Sequence, residues 1–196
     1  MVVTGGDEPP VCGIVLAAGA GRRYGGPKAL ARDPDGTPWL TRAVRTLQSA
    51  GCSPVLVALG AAPDAADLLP ADIADVVVVP VPEWADGLAA TLHAALGAAA
   101  STDAESTVVV PVDVPGLPAS AVRRVIAAAA PAGVDGLARA TYGGDPGHPV
   151  LIGRSHWAEV AASVSGDRGA GAYLAAHAAL AVPCDDLWSG ADVDTP

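Results

Sequence analysis

Apolar positions fall into short runs that alternate with longer stretches of helical spacing. Residues 11–16 are one such run, ending in Ala17-Ala18-Gly19, and read as a buried first strand. A glycine-rich loop follows, from Gly19 to Lys28. Thr37 and Pro38 open a helix over 41–50, with Thr37 as its cap and Pro38 in its first turn, and Gly51 ends it. Strands are predicted at 54–59, 75–81 and 107–112, and helices at 63–69, 86–100 and 118–130. The third strand, with Val76-Val77-Val78-Val79, reads as buried on both faces. This alternation implies a parallel sheet with helices on both faces.

After Pro131 the pattern loosens. Residues 134–142 read as a strand, 143–147 as a loop, 148–152 as a short strand and 155–164 as a helix. A second loop at 166–171, a helix to about 177 and a strand at 181–184 complete the chain. The expected architecture is a three-layer α/β/α sandwich over 11–196. Residues 11–115 form its regular first half, and 116–196 a second half that adds strands to the same sheet and builds a substrate wall. Ligands of such sheets bind beyond the carboxyl ends of the strands. The loops after strands one, three and four are therefore the places to look.

Composition narrows the classes. The net charge of −10 supplies no basic face, which excludes a general nucleic-acid binder. No apolar run reaches the length of a membrane span. Met1 to Pro10 has acids and prolines without a basic n-region, so it reads as a disordered leader and not a signal peptide. Cys12, Cys52 and Cys184 are scattered and odd in number, as expected of inert thiols in a cytoplasmic protein.

Between Val11 and Arg32 there is no acidic residue, while Arg22, Arg23, Lys28 and Arg32 are all basic. In so acidic a chain this marks an anion site. Backbone N–H groups around Gly19, Gly21, Gly25 and Gly26 can approach a phosphate without side-chain clash. Lys28 is the only lysine, against ten arginines, which singles out a compact ammonium at this place. The loop is not a P-loop: Pro27 interrupts the spacing and Ala29 replaces the hydroxyl residue. Nor is it a dinucleotide fingerprint, since Tyr24 stands where a third glycine is needed. Downstream, 108–112 is a buried apolar run ending in Asp113. Mg²⁺ takes one or two carboxylates plus phosphate oxygens, a need Asp113 meets at the mouth of that strand.

The stretch Leu16-Ala17-Ala18-Gly19-Ala20-Gly21-Arg22-Arg23-Tyr24-Gly25-Gly26-Pro27-Lys28 resembles the signature of the molybdenum cofactor nucleotidyltransferases. Their sheet is Rossmann-like, of the nucleotide-diphospho-sugar transferase type. The resemblance implies a loop wrapped on a triphosphate, with Arg23 and Lys28 on its phosphates and Asp113 as metal ligand. It implies a second metal or phosphate contact from Asp192-Val193-Asp194-Thr195-Pro196, Asp194 foremost. It sets Gly87 and Thr91, after Trp84, beside base and ribose. It assigns His148 in Gly147-His148-Pro149-Val150, and Asp167 and Arg168 in Gly166-Asp167-Arg168-Gly169, to the acceptor side.

The reaction implied is Mg²⁺-dependent transfer of a nucleotidyl group to a phosphorylated acceptor such as molybdopterin, with loss of pyrophosphate. Ala17-Ala18-Gly19 is similar to the cytidylyl type and favours CTP, whereas the guanylyl type has Gly at the place of Ala18. Relatives also transfer to sugar phosphates, methylerythritol phosphate or phospholactate. A different class of reading is a non-catalytic nucleotide-binding sensor or chaperone with a molybdenum enzyme as client.

Overall fold

A computed structural model describes residues 9–195. The expected leader falls mostly outside the described residues. Its end does not hang free, however: the carbonyl of Pro10 accepts a hydrogen bond from the Glu105 N–H at 2.8 Å.

Seven strands form one sheet: β1 (Val11–Ala17), β2 (Val55–Leu59), β3 (Val76–Pro80), β4 (Ser106–Pro111), β5 (Leu137–Tyr142), β6 (Asp145–Gly153) and β7 (Leu180–Pro183). Their order is β3-β2-β1-β4-β6-β5-β7. Among the described residues only β6 runs against the others, paired antiparallel with both β4 and β5. The helices are α1 (Trp39–Ser49), α2 (Leu88–Ala99), α3 (Ala119–Ala129), α4 (Trp157–Ser163) and α5 (Gly171–Ala176).

Strand alternation divides the interior into two cores. On β1, Val15 and Ala17 pack with Leu40, Val44 and Val122 of α1 and α3. Cys12 and Ile14 face the other way, against Leu92, Leu96, Trp157 and Leu174 of α2, α4 and α5. The helices thus sit on both faces, and the expected three-layer, mostly parallel sandwich is what forms.

Several local expectations change. Thr37 does not cap α1; the residue before the helix is Pro38, and no side chain caps it. The backbone of Thr37 is already engaged in a turn, donating to Asp35 Oδ1 at 2.9 Å and accepting from the Asp33 N–H at 2.9 Å. The third strand is not buried on both faces: Val77 and Val78 are 48% and 40% exposed. The reason is position, since β3 forms an edge of the sheet. The helix expected at 86–100 is cut by Gly87, whose φ of 105° separates a 3₁₀ turn at Trp84–Asp86 from α2. Gly144 ends the turn expected to run to Gly147, and β6 starts at Asp145.

Candidate active site

β1 and β4 are parallel neighbours, with Leu16 beside Pro111. Their carboxyl ends therefore deliver the glycine-rich loop and Asp113 to one place. The Val112 N–H donates to the Leu16 carbonyl at 3.1 Å, fastening the two exits together.

The loop is folded on itself around Gly21, whose carbonyl accepts from the N–H groups of Gly25 at 3.0 Å and Gly26 at 3.2 Å. Gly21 has φ 59°, and a Cβ there would lie 1.9 Å from the Gly26 carbonyl oxygen. No side chain fits that position. The fold brings Lys28, at the start of a 3₁₀ turn, under the loop. Tyr24, packed on Trp39 with ring centroids 5.4 Å apart, lies 6.0 Å from the Lys28 ammonium.

Lys28 Nζ donates to Asp113 Oδ2 at 2.9 Å and to Asp194 Oδ1 at 3.0 Å. The segment that carries Asp194 is tied down by the Val193 N–H, which donates to the Asp113 carbonyl at 2.9 Å. Oxygens of Asp113, Asp192 and Asp194 all lie within 4.8 Å of one another. Three hard oxygen donors so placed suit Mg²⁺ or Mn²⁺, and the Lys28 ammonium already sits against two of them as a cation. Burial pulls the pKa of Lys28 down, but the hydrogen bonds and charges of Asp113 and Asp194 outweigh it and leave it raised. The Asp194 carboxyl is held below its ordinary value, first by the Lys28 hydrogen bond and then by the Lys28 charge, with a contribution from Arg23.

Lys28 and Asp113 border a cavity of about 600 Å³, within the range of small-molecule sites, while Asp192 and Asp194 lie outside its lining. Of the residues singled out in the sequence, Leu16, Ala17, Gly19, Gly21, Arg23, Lys28, Asp113 and His148 line it. The His148 ring is half-buried, with Nδ1 3.4 Å from the Val109 carbonyl. Burial lowers its pKa, outweighing the Val109 hydrogen bond and the charges of Asp113 and Asp192, which raise it. The Tyr142 hydroxyl donates to the His148 carbonyl at 2.8 Å and steadies that backbone.

Other residues fall elsewhere. Arg22 and Gly25 are exposed outside the lining. Ala18 is 2% exposed and turns into the core on the α2 side, leaving Ala17 alone of the pair to face the cavity. The residue that distinguishes the cytidylyl-like loop start thus cannot crowd a base directly. Gly87 does not line the cavity; its backbone is packed against Gly166, whose carbonyl accepts from the Ala89 N–H at 2.9 Å. Thr91 is buried, 4% exposed. Asp167 and Arg168 are exposed outside the lining, and Arg168 donates to Ser165 Oγ at 2.7 Å. They shape the Gly166 loop, whose continuation, Gly169 to Gly171, does line the cavity. Sequence reasoning missed Arg139, a cavity residue on β5. The one available signal was a charge between Ala138 and Ala140 in an otherwise small, apolar stretch.

A family model described as the MobA-like NTP transferase domain matches residues 13–181. A nicotine blue oxidoreductase of Paenarthrobacter nicotinovorans is 34% identical, covering 96% of this chain and 94% of its own. Among solved structures, Rv0371c from Mycobacterium tuberculosis H37Rv is 29% identical with a TM-score of 0.73, covering 96% of this chain and 94% of that one. A structure of Rv0371c in complex with manganese is 28% identical, with a TM-score of 0.65 and 89% of each chain covered. A nucleotidyl transferase from Methanothermobacter, 18% identical over 88% of this chain and 87% of that one, shares the fold at a TM-score of 0.71. Among the described residues, no helix is long and apolar enough to cross a membrane. The chain belongs to the MobA-like NTP transferase domain family, and its enzyme class is that of a nucleotidyltransferase.

Proposed function

We propose that the protein transfers a nucleotidyl group, CMP in preference to GMP, from a nucleoside triphosphate to a phosphorylated acceptor of the molybdopterin kind. The observation that carries this reading is the meeting of Lys28 with Asp113 and Asp194 beside a glycine-rich loop, with Lys28 and Asp113 lining one cavity. The CTP preference rests on the resemblance at Ala17-Ala18-Gly19 and acts through loop shape, since Ala18 faces the core.

Asp113, Asp194 and Asp192 would hold Mg²⁺, which when bound neutralises phosphate charge and polarises the α-phosphate. The backbone N–H groups of Gly19 and Gly21 cradle the triphosphate. Lys28 exchanges its carboxylate partners for phosphate oxygens and, with Arg23, neutralises the charge that builds on the leaving group. The acceptor phosphate oxygen attacks the α-phosphorus in line, the bond to the β-phosphate oxygen breaks, and pyrophosphate leaves. A phosphate dianion needs no base, so positioning and charge supply most of the rate. His148, its carbonyl held by Tyr142, walls the acceptor half, with Arg168 bonded to Ser165 in the neighbouring loop that also carries Asp167. The nucleotide half is residues 11–115 and the acceptor half 116–196, in one domain.

Pyrophosphate release on mixing the protein with CTP or GTP, Mg²⁺ and a molybdopterin source tests this reading. Release with CTP above GTP supports it. Binding of nucleotide without release would identify a non-catalytic sensor. The 34% identical oxidoreductase favours a second reading, redox chemistry in the same cavity. Substrate-dependent oxidation or reduction with neither nucleotide binding nor pyrophosphate release would establish it.

A further inference from the structure

Arg139 stands alone in the far wall of the cavity. Its neighbours Ala138 and Ala140 are fully buried on the α1 and α3 side of the sheet. Arg139 therefore points to the opposite face, the side of α2, α4 and α5. Its register partners are Val150 on β6 and Ala181 on β7, so neither adjacent strand offers it a carboxylate. It lines the cavity together with Val150, Ile152, Gly171 and Leu174.

Its guanidinium has no ion pair or hydrogen bond among the described residues, and its Nε is closed to solvent without a partner. The other arginines make the contrast. Arg154 donates to three carbonyls, of Ala100, Thr102 and Ala104, and Arg124 pairs with Asp186. Arg42 shares the closed, unpartnered Nε, but its charge is paired with Asp33 and Asp35. Arg32, Arg123 and Arg168 each donate to a nearby oxygen. Among the described residues Arg22, Arg23 and Arg45 also lack partners, but all three are exposed to water. Arg139 is the half-buried one. An uncompensated charge in an apolar wall is costly, and a bound anion removes that cost. A guanidinium is shaped to take two oxygens of a phosphate or carboxylate at once.

We propose that Arg139 anchors an oxyanion, a phosphate monoester or a carboxylate, on the molecule that fills the apolar half of the cavity. β5 lies two strand spacings from β4, roughly 10 Å along the sheet. The anchored group is thus held on the wall opposite the Lys28–Asp113 pair. That this molecule is the acceptor rests on the nucleotidyl-transfer reading; the anion contact does not.

The test uses the full chain and three small probes: phenyl phosphate, benzoate and uncharged benzyl alcohol. Binding is measured by saturation-transfer NMR and calorimetry in wild type, Arg139→Gln and Arg139→Lys. The set is repeated in a Lys28→Ala background, so that phosphate bound at the loop is not counted. The expected result is that one anionic probe binds about tenfold or more tighter than benzyl alcohol. Whether phenyl phosphate or benzoate leads identifies the oxyanion. Arg139→Gln should lose this advantage, Arg139→Lys should keep part of it, and the melting temperature of Arg139→Gln should equal or exceed that of wild type. Equal binding of charged and uncharged probes overturns the proposal, as does an anion preference that survives Arg139→Gln. Pyrophosphate release with CTP or GTP, Mg²⁺ and a molybdopterin source is followed on the preparations that keep Lys28. Arg139-dependent probe binding without release removes the transferase reading and leaves the anchor. Release with Arg139-independent binding removes the anchor and leaves the transferase.

Discussion

Lys28 Nζ lies 2.9 Å from Asp113 Oδ2, although 85 residues separate them in the chain. One residue belongs to the loop after β1 and the other to the exit of the adjacent strand β4, so the parallel pairing creates the contact. The ammonium and a divalent cation compete for the same carboxylates. Lys28→Ala should therefore raise Mn²⁺ affinity in the absence of nucleotide, while lowering turnover by about 10²–10³-fold, the scale of one lost transition-state contact. Lys28→Arg should restore little, because a planar fork cannot replace a point charge here. Manganese titration by electron spin resonance, beside pyrophosphate release, measures both effects. Undiminished turnover in Lys28→Ala would remove the phosphate role.

Asp113→Asn should act with opposite signs in two assays. On the proposed reading it removes a metal ligand, and metal-dependent turnover should fall by the equivalent of about 3 kcal/mol of barrier or more. It also removes a negative charge that faces the triphosphate, so metal-free nucleotide binding should be unchanged or slightly tighter. Asp194→Asn should follow the same pattern more weakly, since its carboxylate is the more exposed of the two. Normal turnover of Asp113→Asn at saturating Mg²⁺ would reduce the carboxylate to a turn residue.

The strap at Val193 and Asp194 should respond to pH. A depressed carboxyl contributes stability that is complete above its unfolded pKa and is lost as pH falls through the folded value. A raised ammonium contributes below its unfolded pKa and loses the contribution as pH rises through the folded one. With Asp194 lowered from 3.8 and Lys28 raised from 10.5, the contact is complete between these values and fails beyond both. The protection factor of the Val193 amide, followed by hydrogen exchange, should hold near neutrality and collapse as pH drops below about 3.8. Constant protection down to about pH 2 would show that other contacts hold the strap.

Gly87 should tolerate no side chain. Its φ is 105°, and a Cβ would come within 2.5 Å of the Gly166 carbonyl carbon and oxygen. Gly87→Ala should cost about 1–3 kcal/mol of stability or more through backbone strain, and should loosen the Gly166 loop from the start of α2. Urea unfolding measures the first effect and limited proteolysis of the loop the second. A change below about 0.5 kcal/mol would show that the loop moves aside freely.

Nucleotide choice is open to calorimetry with CTP and GTP in Mg²⁺. CTP should bind more tightly. Since Ala18 packs in the core, Ala18→Gly should alter the preference by loosening the loop and not by opening space at the base. A GTP preference in the wild type would move the reading to guanylyl transfer.

How legible the molecule was depends on whether a signal is local. The loop from Gly19 to Lys28 and the acid after β4 announce themselves in consecutive residues, and both stand where ligands of such sheets bind. The place of β3 was not legible, because four valines look alike in a central strand and at an edge; only strand order decides. The reversal at β6 was hidden because Gly143 and Gly144, which make the turn, merged with Pro146 and Gly147 into one apparent loop. Arg139 had no spacing to betray it, since its meaning lies in the partners it lacks. Ala18 shows the converse: a residue inside a clear motif can face away from the ligand.

The site is also assembled across time. Asp194 follows Lys28 by 166 residues. At a synthesis rate of about 5–20 residues per second, the loop waits roughly 8–33 s for the carboxylate that straps it. Asp113 itself comes 85 residues after Lys28, and from then until Asp194 is made the ammonium has Asp113 alone for company and the acidic trio is incomplete. The three carboxylates and the ammonium are therefore brought together only when the last stretch of the chain has been made.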